Sequence, residues 1–306
     1  MKYLTTKEVA SKWNVNDRRV RALCEEGRVD GAFKVGKTWM IAEDASKPYD
    51  ARMSIKKEYK GLDYDLSKID SLKKRIDEHR PLSINVVKSL REKLIVDWTY
   101  NSNAIEGNTL TMSETKVVLE GITIGGKSVT EHLEVINHKE AIEYLETIIK
   151  DKKGLSEWVL KNIHQLILKD IDDNNAGKYR NENVTISGAT HIPPTHMIIS
   201  ELMQKLFAEY DREWADYHPV IKACLLHGEF VKIHPFVDGN GRTARLLLNF
   251  ELMKYGYTPI VITKSRRAEY YEALDLAHTT SNYSKFIKLI SDFLIDSELL
   301  WLRIIN

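Results

Sequence analysis

From Leu66 to the end of the chain, apolar residues recur at the three- and four-residue spacing of amphipathic helices. The predicted helices lie at about 66–79, 155–170, 197–214, 218–232, 242–255, 267–278 and 283–302, and another starts near Ser83 and carries apolar residues as far as Ile95. One segment of this region has strand character, residues 183–194, and its turn and proline signals predict a hairpin, called the flap below. A chain patterned in this way cannot build a large sheet, so the sequence predicts a mainly α fold with one small β flap.

Residues 1–48 read as a separate small module. Thr5 and Glu8 have the spacing of a capping box at the start of a helix, and a second helix should end at about Glu26. Residues 33–41 then read as a hairpin that turns at Gly36-Lys37. Helix, turn, helix and hairpin are the outline of a winged helix-turn-helix.

The outline of residues 1–48 resembles the small DNA-binding domains of the excisionase and MerR type. The resemblance puts Arg18, Arg19 and Arg21 on the helix that would enter a DNA groove. Basic residues outnumber acidic ones only slightly in this module. The alternative is therefore a helical protein-interaction arm whose arginines are solvated.

The remaining divisions are a linker at 49–65, a helical region at 66–115 and a catalytic domain at 116–306. The net charge of +1 excludes a polycation, so any contact with nucleic acid needs a local patch. Two cysteines without metal spacing favour neither a disulfide framework nor a zinc site. No signal peptide or membrane span is apparent, so we expect a cytoplasmic protein without a membrane partner. Homo-oligomers are compatible with the sequence.

The most informative segment runs from His234 to Arg245, between two apolar helices. Its Gly-Asn-Gly stretch, residues 239–241, lets backbone N–H groups point into one concavity, and the next helix adds its positive N-terminal end. Arg242 and Arg245 are three residues apart and share one face of that helix. Asp238 offers a hard oxygen ligand for Mg²⁺, and His234 offers a general base. The segment predicts a polyphosphate site beside a base.

The string His-Pro-Phe-Val-Asp-Gly-Asn-Gly-Arg-Thr-Ala-Arg resembles the signature of the Fic family at every specified position. The resemblance spans residues 66–296 and implies an adenylyltransferase that moves AMP from Mg–ATP to a Ser, Thr or Tyr hydroxyl of a target protein. It implies that His234 is the general base and that Asp238 holds Mg²⁺. It also implies that the phosphates of ATP are bound by Gly239, Asn240, Gly241, Arg242 and Arg245. Among these, Arg242 would bind the β-phosphate and Arg245 the γ-phosphate.

The flap is similar to the family's too, in which a hairpin holds the target as an added strand beside the catalytic loop. By resemblance, two further stretches border the nucleotide: Gly188, Ala189, Thr190 and His191 in the flap, and Tyr270 and Tyr271 near the adenine. Core packing is the alternative for one of the two tyrosines. His278 stands where some relatives have an Asn that contacts the base, so the donor specificity is less secure than phosphate binding.

Ser102 and Glu106-Gly107 fit a second Fic pattern, that of an inhibitory helix placed before the catalytic motif. Residues four apart on a helix face the same way. In the family the glutamate pairs with the second arginine, here Arg245, and a carboxylate there competes with the γ-phosphate. The alternative is an ordinary helix end closing at Gly107.

Residues 121–128 match the P-loop pattern letter for letter, which would indicate a different nucleotide-binding fold. A P-loop follows a buried strand and opens a helix. Here Thr111 and Glu114 form a capping box that predicts a short helix up to Glu120 instead. We therefore interpret the match as coincidental and expect Lys127 to be solvated.

The leading functional hypothesis is a protein adenylyltransferase that uses ATP as co-substrate and whose activity is inhibited by Glu106. Its acceptor would be another protein or the enzyme itself. One alternative is a DNA-binding regulator in which the Fic module senses a nucleotide. Two others keep the same site: removal of AMP from a modified target, and transfer of a different phosphate-containing group.

Overall fold

The structure is a computed structural model that describes residues 2–13, 15–45, 47–48, 58–186 and 188–306. The described residues are mainly α-helical, as the sequence predicts. The chain divides into two compact units, Met1–Lys56 with Ser200–Lys205, and Lys57–Ile199 with Leu206–Asn306.

The first unit contains two short helices and an antiparallel sheet in the strand order β1-β3-β2. The Glu8 carboxylate accepts the Thr5 main-chain N–H at 2.8 Å, as the capping box predicts. The turn between β2 and β3 falls on Gly36 and Lys37, since Val35 pairs with Thr38. The elements are β1 Tyr3–Thr5, α1 Thr6–Lys12, α2 Asp17–Glu25, β2 Phe33–Val35 and β3 Thr38–Ala42. Their apolar side chains form one core: Val9, Ala10, Trp13, Val20, Leu23, Cys24, Val29 and Ile41.

The second unit is built from α-helices, and one helix, α8, has residues in both units. The helices are α3 Ser67–Glu78, α4 Ile84–Ile105, α5 Met112–Leu119, α6 Val129–Lys150, α7 Glu157–Leu168, α8 Ile199–Ala208, α9 Pro219–Ile233, α10 Asn240–Lys254, α11 Arg267–Thr280 and α12 Ser284–Ile305. Short helical turns of other types cover His196–Ile198, Glu209–Glu213 and Lys264–Arg266.

Helices α9 and α10 form the centre of the second unit. Almost every residue of both helices is buried, including charged ones, so these helices are covered on all sides. The loop that joins them, residues 234–239, is therefore held between two fixed helix ends. Around the pair, α6 and α7 pack on each other, and α12 packs on α3 through Leu72, Ile76 and Leu302.

The expected hairpin in the flap is wrong for the residues that the structure describes. Residues 183–186 and 188–194 have no strand pairing, and Ser187 lies outside the described residues. Pro193 and Pro194 have no N–H to donate to a ladder, so side chains supply the contacts instead. The Asn183 amide oxygen accepts the main-chain N–H of His196 at 3.0 Å across the flap base.

The predicted linker at 49–65 lies partly outside the described residues, which resume at residue 58. Tyr59 there is packed rather than solvated, because its ring contacts Trp214 and Tyr283 edge to face at 5.9 and 5.8 Å. Cys24 and Cys224 are buried and unpaired. In the described ranges no helix is both long enough and apolar enough to cross a membrane.

Candidate active site

The first turns of α10 carry two buried arginines, Arg242 and Arg245, each with a side chain about 3% exposed. The helix begins at Asn240, directly after Gly239, which has a left-handed φ of 75°. A Cβ at Gly239 would approach the ring of His164 and Ile167 to 3.2 Å, so the loop needs glycine there for space as well as for conformation. The loop and the helix end thus combine free N–H groups with two cations, as an anion site requires.

Arg245 is held by the last turns of α4. Its Nε donates to the Ser102 hydroxyl at 3.0 Å, and its Nη2 donates to the Ser102 carbonyl at 2.8 Å and to the Glu106 carboxylate at 2.7 Å. Burial lowers the pKa of Arg245, but the Glu106 carboxylate outweighs it, so this pKa is raised from its ordinary value. The same Glu106 carboxylate lies where a Cβ on Gly241 would stand. A carboxylate therefore occupies the anion site.

Arg242 is held by two other carboxylates. Its Nη1 donates to Glu134 of α6 at 2.9 Å, and its Nη2 donates to Asp238 at 3.0 Å. The other Glu134 oxygen accepts from the Asn108 amide at 2.8 Å, just beyond the end of α4. Glu134 is not among the residues predicted from the sequence, because the residues of α6 are not predicted as a separate helix. A signal is present, since Ser128 and Glu131 form a capping box at the start of α6.

His234 ends α9 in a left-handed conformation with φ 51°, which turns the chain sharply into the loop. Burial lowers the pKa of His234 to about 4. The imidazole is therefore neutral at pH 7, which is the form that can take a proton from a hydroxyl group.

The loop after His234 is held by two side chains. The Asn240 amide clasps the main chain of Phe236, donating to its carbonyl at 2.9 Å and accepting its N–H at 3.0 Å. The Phe236 ring stacks on His164 of α7 at 3.5 Å between ring centroids. Because Gly177 N–H donates to Nδ1 of His164, the proton of the neutral ring is on Nε2, which donates to the Asp238 carbonyl at 2.8 Å.

Asp238 has the features of a magnesium ligand that works together with a substrate. Its side chain is 67% exposed and faces the anion site through its pair with Arg242. The described residues contain no cluster of three or more metal-ligating side chains. Mg²⁺ commonly takes one or two carboxylates plus substrate phosphates, so a single aspartate beside a phosphate site fits this ion.

The flap is attached to α11 and α9 near its tip. The Asp275 carboxylate accepts the main-chain N–H groups of Thr190 at 2.8 Å and His191 at 3.2 Å. The His191 ring contacts the Lys232 carbonyl at 2.9 Å and meets the His278 ring edge to face at 5.3 Å. Of the predicted flap residues Gly188, Ala189, Thr190 and His191, the last two thus bond to α11 and His191 also to the end of α9. Asp275, which makes two of these bonds, has no spacing signal in the sequence.

The two candidate adenine-site tyrosines have different environments. Tyr270 is 1% exposed and its hydroxyl is hydrogen-bonded to Nε2 of His227 at 2.9 Å. Tyr271 is 40% exposed and has Arg267 above its ring. His278 is buried and its Nε2 is bonded to the Gly228 carbonyl at 3.0 Å. Core packing therefore describes Tyr270, and Tyr271 is the tyrosine that a ligand can reach.

The P-loop-like segment is a loop that follows α5, in agreement with the expected coincidence. The expectation that Lys127 is solvated is wrong. Its ammonium group donates to the Thr109 carbonyl at 2.8 Å and to the Thr109 hydroxyl at 2.9 Å. Lys127 therefore fixes the segment just after Glu106 and does not line the anion site.

The chain is similar to known Fic proteins in sequence and in fold. A profile of the Fic/DOC family matches residues 154–252. Protein adenylyltransferase Fic of Drosophila melanogaster is 37% identical over 195 residues, which are 63% of this chain and 39% of the relative. The Drosophila mojavensis protein of the same name is 38% identical over 195 residues and is covered over 38% of its length. This chain thus spans about two fifths of these curated relatives.

Solved structures give a longer match. A Fic domain-containing signaling protein from Bacteroides thetaiotaomicron has a TM-score of 0.72 and 31% identity, over 78% of this chain and 96% of that one. Fic-1 from C. elegans has a TM-score of 0.70 and 28% identity, over 78% of this chain and 71% of that one. The matched region includes the loop between α9 and α10 and the two arginines in the first turns of α10. The chain therefore belongs to the Fic/DOC family.

Proposed function

We propose that this protein is an adenylyltransferase that transfers AMP from Mg–ATP to a hydroxyl group of a protein, and that Glu106 holds this activity low. The observation that carries the proposal is the Glu106 carboxylate, which is bonded to buried Arg245 and lies over Gly241. This carboxylate stands in for a phosphate oxygen in the site. Relatives that are named protein adenylyltransferase support the same reaction.

The chemistry follows from the positions of the side chains. When the target hydroxyl attacks the α-phosphorus, neutral His234 takes its proton while the new oxygen–phosphorus bond forms. The bond from the α-phosphorus to the bridging oxygen breaks, and pyrophosphate leaves. Arg242, Arg245 and the N–H groups at the start of α10 bind the phosphate chain and its growing charge. Mg²⁺ held by Asp238 would neutralise phosphate charge when bound.

The inhibition is a competition for one guanidinium. Arg245 is buried, so it cannot turn to solvent to bind a second anion beside Glu106. A γ-phosphate must therefore displace the carboxylate or stay outside the productive position. The Glu106 side chain is 31% exposed, so it has room to leave the site.

Label transfer from ATP labelled at the α-phosphate tests the proposal, with Mg²⁺ present and three proteins compared. We expect strong labelling of protein by Glu106→Gly, weak labelling by the wild type, and none by Glu106→Gly combined with His234→Ala. Equal labelling with and without His234 would contradict the assigned base. No labelling by any of them, with ATP still bound, would remove AMP transfer as the function.

A second candidate function is DNA binding by residues 1–48 as a winged helix-turn-helix. The observation that favours it is the exposure of Arg18 and Arg21 on α2, with Lys37 at the tip of the β2–β3 hairpin. Helix and hairpin tip are the two parts through which such domains contact a duplex.

Fluorescence anisotropy of the full chain on duplex DNA at several salt concentrations tests this candidate. We expect affinity that falls with salt and that is lost in Arg18→Ala/Arg21→Ala, whereas Lys7→Ala on the exposed side of α1 changes it little. Unchanged affinity in the double variant would exclude α2 as the DNA contact.

A further inference from the structure

Arg180 connects the loop after α9 to the flap through main-chain oxygens. Its Nε donates to the His234 carbonyl at 2.8 Å, its Nη1 to the Glu182 carbonyl at 2.7 Å and its Nη2 to the Pro194 carbonyl at 2.6 Å. Its own main-chain N–H donates to the Pro235 carbonyl at 2.9 Å. One residue therefore bonds the start of the catalytic loop and both ends of the flap.

The environment of Arg180 is unusual for a buried cation. The residue is 3% exposed, and burial lowers the pKa of its guanidinium. In the parts of the chain that the structure describes, no carboxylate forms an ion pair with it, so three carbonyl oxygens supply all the acceptors. A planar fork with three nitrogens can reach acceptors in three directions at once, whereas a lysine has a single nitrogen.

These contacts bear on the position of the flap relative to His234 rather than on the anion site of Arg242 and Arg245. The acceptors belong to His234, Glu182 and Pro194, and no bond from Arg180 reaches Arg242 or Arg245. The described flap residues have no strand ladder of their own, so Arg180 closes the base of the flap and Asp275 holds its tip. At the base of the flap, the link to the His234 main chain is thus made by one guanidinium, whereas Asp275 and Lys232 contact the flap near its tip.

We propose that Arg180 is a positioning residue, which fixes the flap relative to His234 and so aligns a target chain lying between them with the catalytic base. The inference rests on the proposed function, because it concerns the acceptor side of the same reaction. A displacement of about 1 Å of a reacting group can lower a rate by roughly two orders of magnitude. Arg180 would therefore act on transfer without touching the nucleotide.

The test compares Arg180→Lys and Arg180→Gln, each in the Glu106→Gly protein, with Lys178→Gln as the matched control. Lys178 is an exposed cation two residues away that donates to the Asn174 carbonyl at 2.9 Å. Three quantities are measured: the Kd for Mg–ATP, the maximal rate of α-label transfer, and amide hydrogen exchange of Thr190, His191 and His196.

We expect both Arg180 variants to lower the transfer rate by about tenfold or more while the ATP Kd stays within about threefold. Exchange of the three flap amides should accelerate, with amides of α9 and α10 unchanged. Lys178→Gln should behave like the parent. A role in stability alone would not separate transfer from ATP affinity in this way, and Arg180→Lys keeps the test open if Arg180→Gln fails to fold.

Two outcomes would overturn the inference: transfer at the parent rate in Arg180→Gln, or loss of ATP affinity in proportion to loss of transfer. If the Glu106→Gly parent itself carries no label, the proposed function fails instead. In that case amide hydrogen exchange alone tests the role of Arg180. Unchanged exchange of the Thr190 and His191 amides in Arg180→Gln would show that Arg180 does not fix the flap.

Discussion

Arg242 and Arg245 lie on the same face of α10, but different carboxylates hold them. Arg245 faces Glu106 from α4, whereas Arg242 faces Asp238 from its own loop and Glu134 from α6. Asp238 is largely exposed, so in the proposed mechanism it would turn to a metal ion on the nucleotide and free one edge of Arg242. On the same proposal, the inhibition by Glu106 would act on the γ-phosphate at Arg245 and spare the β-phosphate at Arg242.

This difference predicts how Glu106→Gly changes nucleotide affinity. Removing the carboxylate gives Arg245 to the γ-phosphate, and a charged hydrogen bond contributes about 1.5–3 kcal/mol, which corresponds to about tenfold or more in Kd for ATP. ADP lacks that phosphate, so its Kd should change little. Calorimetry with Mg²⁺ and each nucleotide measures the Kd values of ATP and ADP. The control is Glu106→Gly/Arg245→Ala, which should lose the gain in ATP affinity. An equal gain for ADP would contradict the assignment of Arg245.

The low pKa of His234 predicts the acid side of the pH profile. A histidine with its ordinary pKa of 6.5 would be about nine-tenths protonated at pH 5.5 and would lose about tenfold in activity. With a pKa of about 4, His234 is still mostly the neutral base at that pH. We expect the kcat/KM for label transfer by Glu106→Gly to change little from pH 7.5 to pH 5.5. A tenfold fall centred near pH 6.5 would contradict the buried, neutral base.

Sequence reasoning at the residue scale finds the side chains whose role follows from close spacing. Asp238, Arg242 and Arg245 lie within eight consecutive positions of one motif, and the folded chain brings them together. Glu134 reaches Arg242 and Arg180 reaches the His234 carbonyl from other segments, where a single glutamate or arginine carries no spacing signal. Their contacts depend on the packing of α6 and on the path of the flap, which one sequence does not specify.

At the scale of elements, prediction succeeds where periodicity or caps are strong. The helices around the motif and the β2–β3 hairpin agree with their patterns, within a few residues at each end. The flap is different, because its strand-like composition is overridden by side-chain contacts from Arg180, Asn183 and Asp275. Such contacts between distant residues take the place of hydrogen bonds between strands, and no local sequence pattern predicts them.

Helix α12 contains a buried carboxyl group whose burial limits stability. Glu298 is fully buried, and neither carboxyl oxygen has a hydrogen-bond partner among the described residues. Burial, with a smaller effect from nearby Asp70, raises the pKa of Glu298 from 4.5 to about 8. The folded state keeps the proton that the unfolded state releases above pH 4.5. The free energy of unfolding therefore falls as the pH rises from 4.5 to 8.

Glu298→Gln should remove this loss. We expect the variant to be more stable than the wild type by on the order of 4 kcal/mol at pH 8 and by less than about 1 kcal/mol at pH 5, since the amide has no proton to release. Urea unfolding at both pH values measures it, with Asp296→Asn, an exposed position of the same helix, as the control. A gain of the same size at pH 5 and pH 8 would mean that the carboxyl does not titrate as described.

At the scale of the whole molecule, the chain joins a small sheet-containing unit to a helical Fic unit. The family and the mainly α class follow from one motif and from helical periodicity, because both are local properties of the chain. The target protein does not follow, since its recognition depends on a surface that no local motif of this chain specifies. Each unit has its own test, which is duplex binding for the first and group transfer for the second.

The proposed function requires that AMP, and no other part of ATP, moves to protein when Glu106 no longer holds Arg245. The most direct measurement incubates the Glu106→Gly protein with Mg–ATP labelled either at the α-phosphate or at the γ-phosphate. The predicted result is α-label on protein and γ-label released as pyrophosphate, with the wild type nearly unlabelled. Retention of the γ-label on protein, or equal α-labelling of wild type and Glu106→Gly, would contradict the claim.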